Sequence, residues 1–191
     1  AARETRIGAR EPVITVEIRG AEPRAYPIRY LTWHEIVNDT VAGVPIAVTF
    51  CPLCNSGITF DRRGDELTAL LAYDDKLIGN PMLPALHGGV TAAFLEVTAI
   101  VGLSWSFIWE DMESGALPLE EVEAGTLPRL PKTIDFTVDY LRSGLPRDSY
   151  ARARVTRSGR RYASVHAEAW QDNRNRPHAQ ATGHFLMLPR D

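Results

Sequence analysis

The chain has 191 residues, of which 45% are hydrophobic and 24% charged, and a formal net charge of -3. That length fits one ordinary domain or two small ones with a self-sufficient core, and the composition excludes wholesale disorder. The net charge excludes a strongly basic nucleic-acid binder, and two cysteines only three positions apart exclude a disulfide-framed secreted scaffold, so a reducing, cytoplasmic setting is expected.

No charged-then-apolar leader opens the sequence, because Arg3, Glu4, Arg6, Arg10 and Glu11 interrupt it. Val13 to Ile18 alternates as a strand, Ala25 to Leu31 is a second extended run, and Thr32-Trp33-His34-Glu35 is a capping-box pattern that opens a short helix fading at Asn38-Asp39. Val44 to Phe50 is an apolar strand leading into Cys51-Pro52-Leu53-Cys54, which places both cysteines on a turn. Such a pair is a redox dithiol, half of a zinc site, or neither. A zinc ion needs four ligands and only His34 lies nearby. A redox thiol needs a helix N-terminus or a cation to lower its pKa, and neither is evident. No metal is expected.

Gly57 to Tyr73 supplies a further hairpin strand. Asn80-Pro81-Met82-Leu83-Pro84-Ala85-Leu86-His87-Gly88-Gly89 then leads into 22 residues, Gly88 to Trp109, whose single charge is Glu96. The stretch approaches the length of a membrane span. A carboxylate at mid-span costs roughly 2.5 to 3.5 kcal/mol, and no Lys/Arg cluster flanks the segment, so a helix surrounded by protein is the preferred reading, running from about Gly88 to about Leu103. Two glycines at its start allow close approach of a ligand, and the free N–H groups there stabilise a developing oxyanion. Glu96 lies seven residues beyond Gly89, about 10 Å along the helix and on the same side. One helix therefore cannot bring both to one small carbonyl, whereas a second, antiparallel subunit could present its Glu96 to Gly88.

From Glu96 to Pro128 there are seven acids and no Lys or Arg, and Arg129 to Asp191 carries twelve basic against six acidic residues. Four runs in this last part alternate with period two: Ile134 to Tyr140, Ala151 to Thr156, Ala163 to Ala169 and Ala179 to Phe185. They read as half-buried antiparallel strands separated by turns at Ser143-Gly144-Leu145-Pro146, Ser158-Gly159 and Asp172 to Pro177. Their inward positions are mostly Ala, Val and Gly, small enough for a helix to lie close. The expected fold is α+β, a curled antiparallel sheet wrapped round a long central helix, with a short, mostly β N-terminal appendage.

Residues 57–191 resemble the hotdog-fold acyl-CoA thioesterases of the phenylacetate-degradation type. Leu86-His87-Gly88-Gly89 is similar to that family's His-Gly-Gly signature at the head of its central helix, Leu130 to Arg142 to the strand after it, and Arg160-Arg161-Tyr162-Ala163 to Trp170 and Ala179 to Met187 to the closing strands. The resemblance implies that Gly88 and Gly89 polarise the thioester carbonyl and that Glu96 of the neighbouring subunit is nucleophile or general base. It further implies that Asn80, seven residues before His87 where the family places its Asn six before, positions water or substrate, and that Arg142 or Ser143 is a further polar site residue. His87 reads as a hydrogen-bonding residue at the helix cap rather than as the base. Arg157, Arg160 and Arg161 around Gly159 are either a solvated sheet face or a binding site for the phosphates of coenzyme A. Coenzyme A is then part of the substrate, with no separate cofactor. The expected partners are an acyl-CoA and a second copy of the chain, as a homodimer or dimer of dimers, with neither nucleic acid nor membrane.

Glu11-Pro12-Val13-Ile14, Trp33 to Thr40 and Cys51 to Arg62 resemble a family of unknown function (domain of unknown function 3179) that is much longer than this segment. The expected division is an appendage over 1–56 and a hotdog domain over 57–191. Two other readings remain open: a non-catalytic binding or structural hotdog protein, and an acyl-thioester hydratase or dehydratase using His87 with Glu96, against which the Gly-Gly pair argues.

Overall fold

The computed structural model describes residues 8, 10–34, 36–51, 56–64, 66–118, 121 and 129–187. Strands β1 (Val13–Val16) and β2 (Arg24–Pro27) form a two-stranded sheet, followed by helix α1 (Ile28–His34). Strands β3 (Ile36–Val41), β4 (Val44–Cys51), β5 (Ser56–Asp61) and β6 (Thr68–Leu71) come next, then the long helix α2 (Gly88–Glu113). The chain closes with β7 (Lys132–Tyr140), β8 (Ser149–Ser158), β9 (Tyr162–Trp170) and β10 (Ala179–Leu186). The eight strands from β3 to β10 form one antiparallel sheet in the order β3-β4-β5-β6-β8-β9-β10-β7.

The five strands β6-β8-β9-β10-β7 and α2 form the sheet-and-helix unit anticipated from the period-two runs, the hotdog arrangement that the resemblance implies. Alternation turns Ala151, Ala163, Val165, Ala167, Ala169, Ala179 and Ala181 to the helix, and all are fully buried. Opposite them α2 sets Thr91, Phe94, Leu95, Thr98, Ala99 and Leu103 at three- and four-residue spacings. A Cβ on Gly102 would lie 2.8 Å from Ala153 Cβ, so this glycine sets how closely helix and sheet approach. Thr98 satisfies its buried hydroxyl on Phe94 O at 2.7 Å. This packing accounts for the apolarity of α2, the one helix among the described residues long and apolar enough to cross a membrane.

Helix α2 runs ten residues beyond the expected end at Leu103. Ser104 and Ser106 turn their hydroxyls back onto Ile100 O and Leu103 O, while Trp105 and Ile108 continue the buried face. The Trp105 indole donates to Gly64 O at 3.0 Å, tying this second half of the helix to the β5–β6 connection.

The N-terminal elements depart further from expectation. Thr32 does not start a helix but ends one, donating its hydroxyl to Ile28 O, and Ile36–Val41 is strand because pairing with β4 outweighs local preference. Glu35 and Pro52 to Asn55, and so Cys54, lie outside the described residues, as does the side chain of Cys51. Tyr26, Leu31, Val41, Ile46, Val48 and Phe50 form a satellite core of their own. The β4–β5 hairpin joins β3 and β4 to the hotdog strands, so the sheet is continuous across residues 56 and 57.

Candidate functional site

Helix α2 begins where the loop 79–86 closes on itself and on the β7–β8 turn. Leu86 N donates to Gly144 O at 2.9 Å, His87 N to Leu77 O at 2.8 Å, and Gly79 N to Ala85 O at 3.2 Å. His87 is the N-cap, and its Nδ1 accepts the Gly89 N–H at 3.0 Å. The imidazole needs close quarters, since a Cβ on Gly79 would lie 2.7 Å from His87 Cδ2. The N–H of Gly88 has no partner among the described residues and is backed by a 26-residue helix whose first turn contains no acid. Of the two expected carbonyl-polarising amides, Gly88 is thus free and Gly89 is held by the cap.

Asn80 stands apart from this arrangement in the exposed loop, where its Oδ1 accepts the Met82 N–H at 2.9 Å. Met82 and Leu83 beside it are 86% and 71% exposed, an apolar loop tip next to the helix start.

Glu96 is half-buried on the flank of α2 that faces the edge strand β7, and Thr133 Oγ1 donates to its Oε1 at 2.8 Å. A β-bulge makes this contact. The pairing of β10 with β7 shifts between His184 and Phe185, so that Thr133 rather than Ile134 lies opposite the inward-facing Phe185. Strict alternation puts Ile134 inward with Phe136; instead it is the extra residue and is 57% exposed. Bulges re-aim side chains in this way beside functional sites. At the other end of β7, Tyr140 Oη donates to Gly88 O at 2.8 Å. Thr133 and Tyr140 therefore brace the two ends of the helical segment that carries Gly88 and Glu96. Neither was singled out as a site residue: Tyr140 ends a period-two run, but Thr133 is invisible without the bulge.

Arg142 and Ser143 follow Tyr140 directly. Arg142 donates through Nε and Nη2 to Pro177 O at 3.0 and 2.8 Å, and its backbone N–H bonds to His178 O. His178 is buried beneath this turn, 2.7 Å from Ser149 Oγ. Burial, with the nearby Arg142 charge as a smaller cause, lowers its pKa from 6.5 to about 4, so the ring is neutral at pH 7. Arg157, Arg160 and Arg161 sit at the opposite end of the sheet, on the β8–β9 hairpin, about 30 Å away along a ten-residue strand. Within one protomer they are not brought to Gly88. No group of three or more potential metal ligands occurs among the described residues. Trp105, whose ring lies 6.0 Å from that of Trp109, borders a small apolar cleft of about 60 Å³ between β3, β4 and the second half of α2, away from Gly88.

Comparison with known proteins bears on the family of the chain. A family model described as the thioesterase superfamily matches residues 83–178, just over half of the chain, and one described as a protein of unknown function (DUF3179) matches residues 1–85. Similar solved structures include a thioesterase from Haemophilus influenzae (TM-score 0.51, 18% identity, covering 68% of this chain and 76% of that one). A phenylacetic acid degradation-related protein from Ralstonia eutropha follows (0.48, 21%, 66% and 80%), as does a Bacillus halodurans protein solved with CoA (0.48, 20%, 69% and 74%). The search of curated proteins finds no significant match. With its His-Gly-Gly helix start, hotdog sheet and matching family model, the chain belongs to the thioesterase superfamily.

Proposed function

We propose that the protein hydrolyses an acyl-CoA to the free acid and coenzyme A, at a site completed by a second copy of the chain. The observation that carries this reading is the placement of Glu96. It is held by Thr133 at an open sheet edge, about 12 Å along the helix from the free Gly88 amide, too far for both to act on one carbonyl. Strand β7 has no partner on its outer side among the described residues, and Ile134, Tyr140 and Leu141 are more than half exposed along it. Such an edge is a template for pairing. An antiparallel β7–β7 pairing sets the partner's Glu96 beside this protomer's Gly88, and the reverse, as two-fold symmetry requires.

In this arrangement the Gly88 amide and the α2 dipole stabilise the oxyanion. The partner's Glu96, oriented by its own Thr133, takes a proton from water as the water oxygen bonds to the carbonyl carbon. The C–S bond then breaks and coenzyme A leaves as a thiolate, a good leaving group that the released proton neutralises. In direct attack a Glu96 carboxylate oxygen bonds to the same carbon and the C–S bond breaks to expel coenzyme A thiolate, leaving a mixed anhydride that water hydrolyses in a second step to the free acid and the Glu96 carboxylate. Arg157, Arg160 and Arg161 of the partner, at the far end of its own sheet, are brought by the same pairing to the side of this protomer's Gly88. Thiol release from a panel of acyl-CoAs tests the reading. Wild type releases thiol, and Glu96→Gln lowers kcat by about 10²-fold or more. Absence of release from every acyl-CoA by the wild type contradicts it.

A further inference from the structure

We propose that His178 is a positioning residue for the oxyanion site: acting through Gly144 and Leu86, its buried ring sets the position of the Gly88 amide. The proposal rests on the thioesterase reading for its effect on catalysis but not for the contacts themselves. His178 directly precedes β10 and is 4% exposed. Its Nε2 lies 2.7 Å from Ser149 Oγ, and that hydroxyl also reaches Trp170 O at 3.3 Å. The backbone is fixed on both sides, since His178 N donates to Ala169 O at 2.8 Å and His178 O accepts from Leu141 N and Arg142 N at 3.0 and 3.1 Å. The ring is thus held from β8, from β9 and from the residues that follow β7. Burial and the Arg142 charge keep it neutral at pH 7, so it packs as an uncharged slab with one polar tip on Ser149.

From this fixed ring the contacts run to the helix start in two steps. The ring lies against Gly144 in the β7–β8 turn, where a Cβ would meet His178 Nδ1 at 3.3 Å and Leu86 Cδ1 at 3.1 Å. The turn therefore rests on both residues at once, and the position has no room for a side chain without a shift of one or the other. Gly144 O then accepts from Leu86 N at 2.9 Å, and Leu77 O accepts from His87 N at 2.8 Å. These two bonds fix the peptide units immediately before Gly88, the residue whose N–H has no partner among the described residues. The turn is braced separately by Gln171, whose amide accepts from Leu145 N and donates to Leu145 O and Arg147 O. Gln171 thereby sets the shape of the turn, and the His178 ring sets its depth. Without the ring, the Gly144 carbonyl loses the surface that holds it against Leu86, and the amide two residues on moves with it. An oxyanion donor works only from a fixed place, so a displacement well under one hydrogen-bond length is felt in the rate.

Hydrogen–deuterium exchange of the full chain, read at the amides of residues 86 and 87 and of strands β8 and β9, tests the proposal beside kcat and KM for an acyl-CoA. His178→Ala removes the ring, and Gly144→Ala wedges the turn away from it while leaving the ring in place. In both, the amides of residues 86 and 87 exchange about ten-fold faster or more, those of β8 and β9 keep their wild-type rates, and kcat falls about ten-fold with KM within about two-fold. His178→Gln, which keeps a polar tip for Ser149, recovers part of both effects. A residue that serves only the core would speed exchange in all the strands together and leave the kcat of folded protein unchanged, and that result overturns the proposal. Wild-type exchange at residues 86 and 87 in both variants overturns it as well. If the wild type releases thiol from no acyl-CoA, the thioesterase reading falls, while exchange at residues 86 and 87 still decides whether His178 sets the helix start.

Discussion

At the scale of single residues, the candidate site is framed by three side chains that do not touch one another. His87 caps α2, and Tyr140 and Thr133 tie the helix to the edge strand. His87→Ala removes the cap and is expected to cost about 0.5 to 2 kcal/mol, read as a lower Tm. Thr133→Val keeps the shape but removes the donor to Glu96. It should lower kcat about ten-fold with little change in Tm, and an unchanged kcat denies Thr133 its orienting role. His178 sets a pH dependence. Its pKa is lowered in the folded chain, so the unfolded chain binds more protons between pH 6.5 and 4. The stabilisation is whole above pH 6.5 and is lost as pH falls toward 4, a difference of roughly 3 kcal/mol from this one group. Denaturant unfolding across that range should show the decline, and His178→Phe should flatten it. Of these residues only His87 was legible as a motif, because a cap is local in sequence. Thr133 depends on a bulge and His178 on burial beneath a turn, neither of which leaves a periodic trace.

At the scale of elements, the β7–β10 runs and α2 were legible because one face of each is buried and the other is not, so hydrophobic period reports directly on structure. Residues 28–41 were misread for the opposite reason: short elements packed on a satellite core take their state from tertiary pairing, and a Thr-x-x-Glu pattern is too weak to override it. Helix α2 also shows why small residues recur where it crosses the sheet. With Gly102 facing Ala153, Gly102→Val has no free volume to enter and is expected to destabilise by about 1 to 3 kcal/mol, measured by denaturant midpoint. A neutral outcome would mean that helix and sheet can separate locally without cost.

At the scale of the whole molecule, the sheet has two ends of different character. The N-terminal strands β3 to β5 cover β6, so the edge of the hotdog unit that stays open is β7. Placing a charge on that edge with Ile134→Lys should shift the protein to monomer in size-exclusion chromatography and abolish hydrolysis with it. The helix motif and the carboxylate were both readable in the sequence, and from their separation along one helix comes the proposal of a second chain. What sequence could not supply was the open edge, β7, on which the proposed pairing places the second chain. The most direct measurement mixes two variants that are inactive alone, Glu96→Ala and Gly88→Val, after confirming that each is folded. If the site is shared, co-refolded subunits regain about a quarter of wild-type activity, because half of the dimers are mixed and each holds one intact site. If the mixture stays as inactive as its components, Gly88 and Glu96 do not act across subunits.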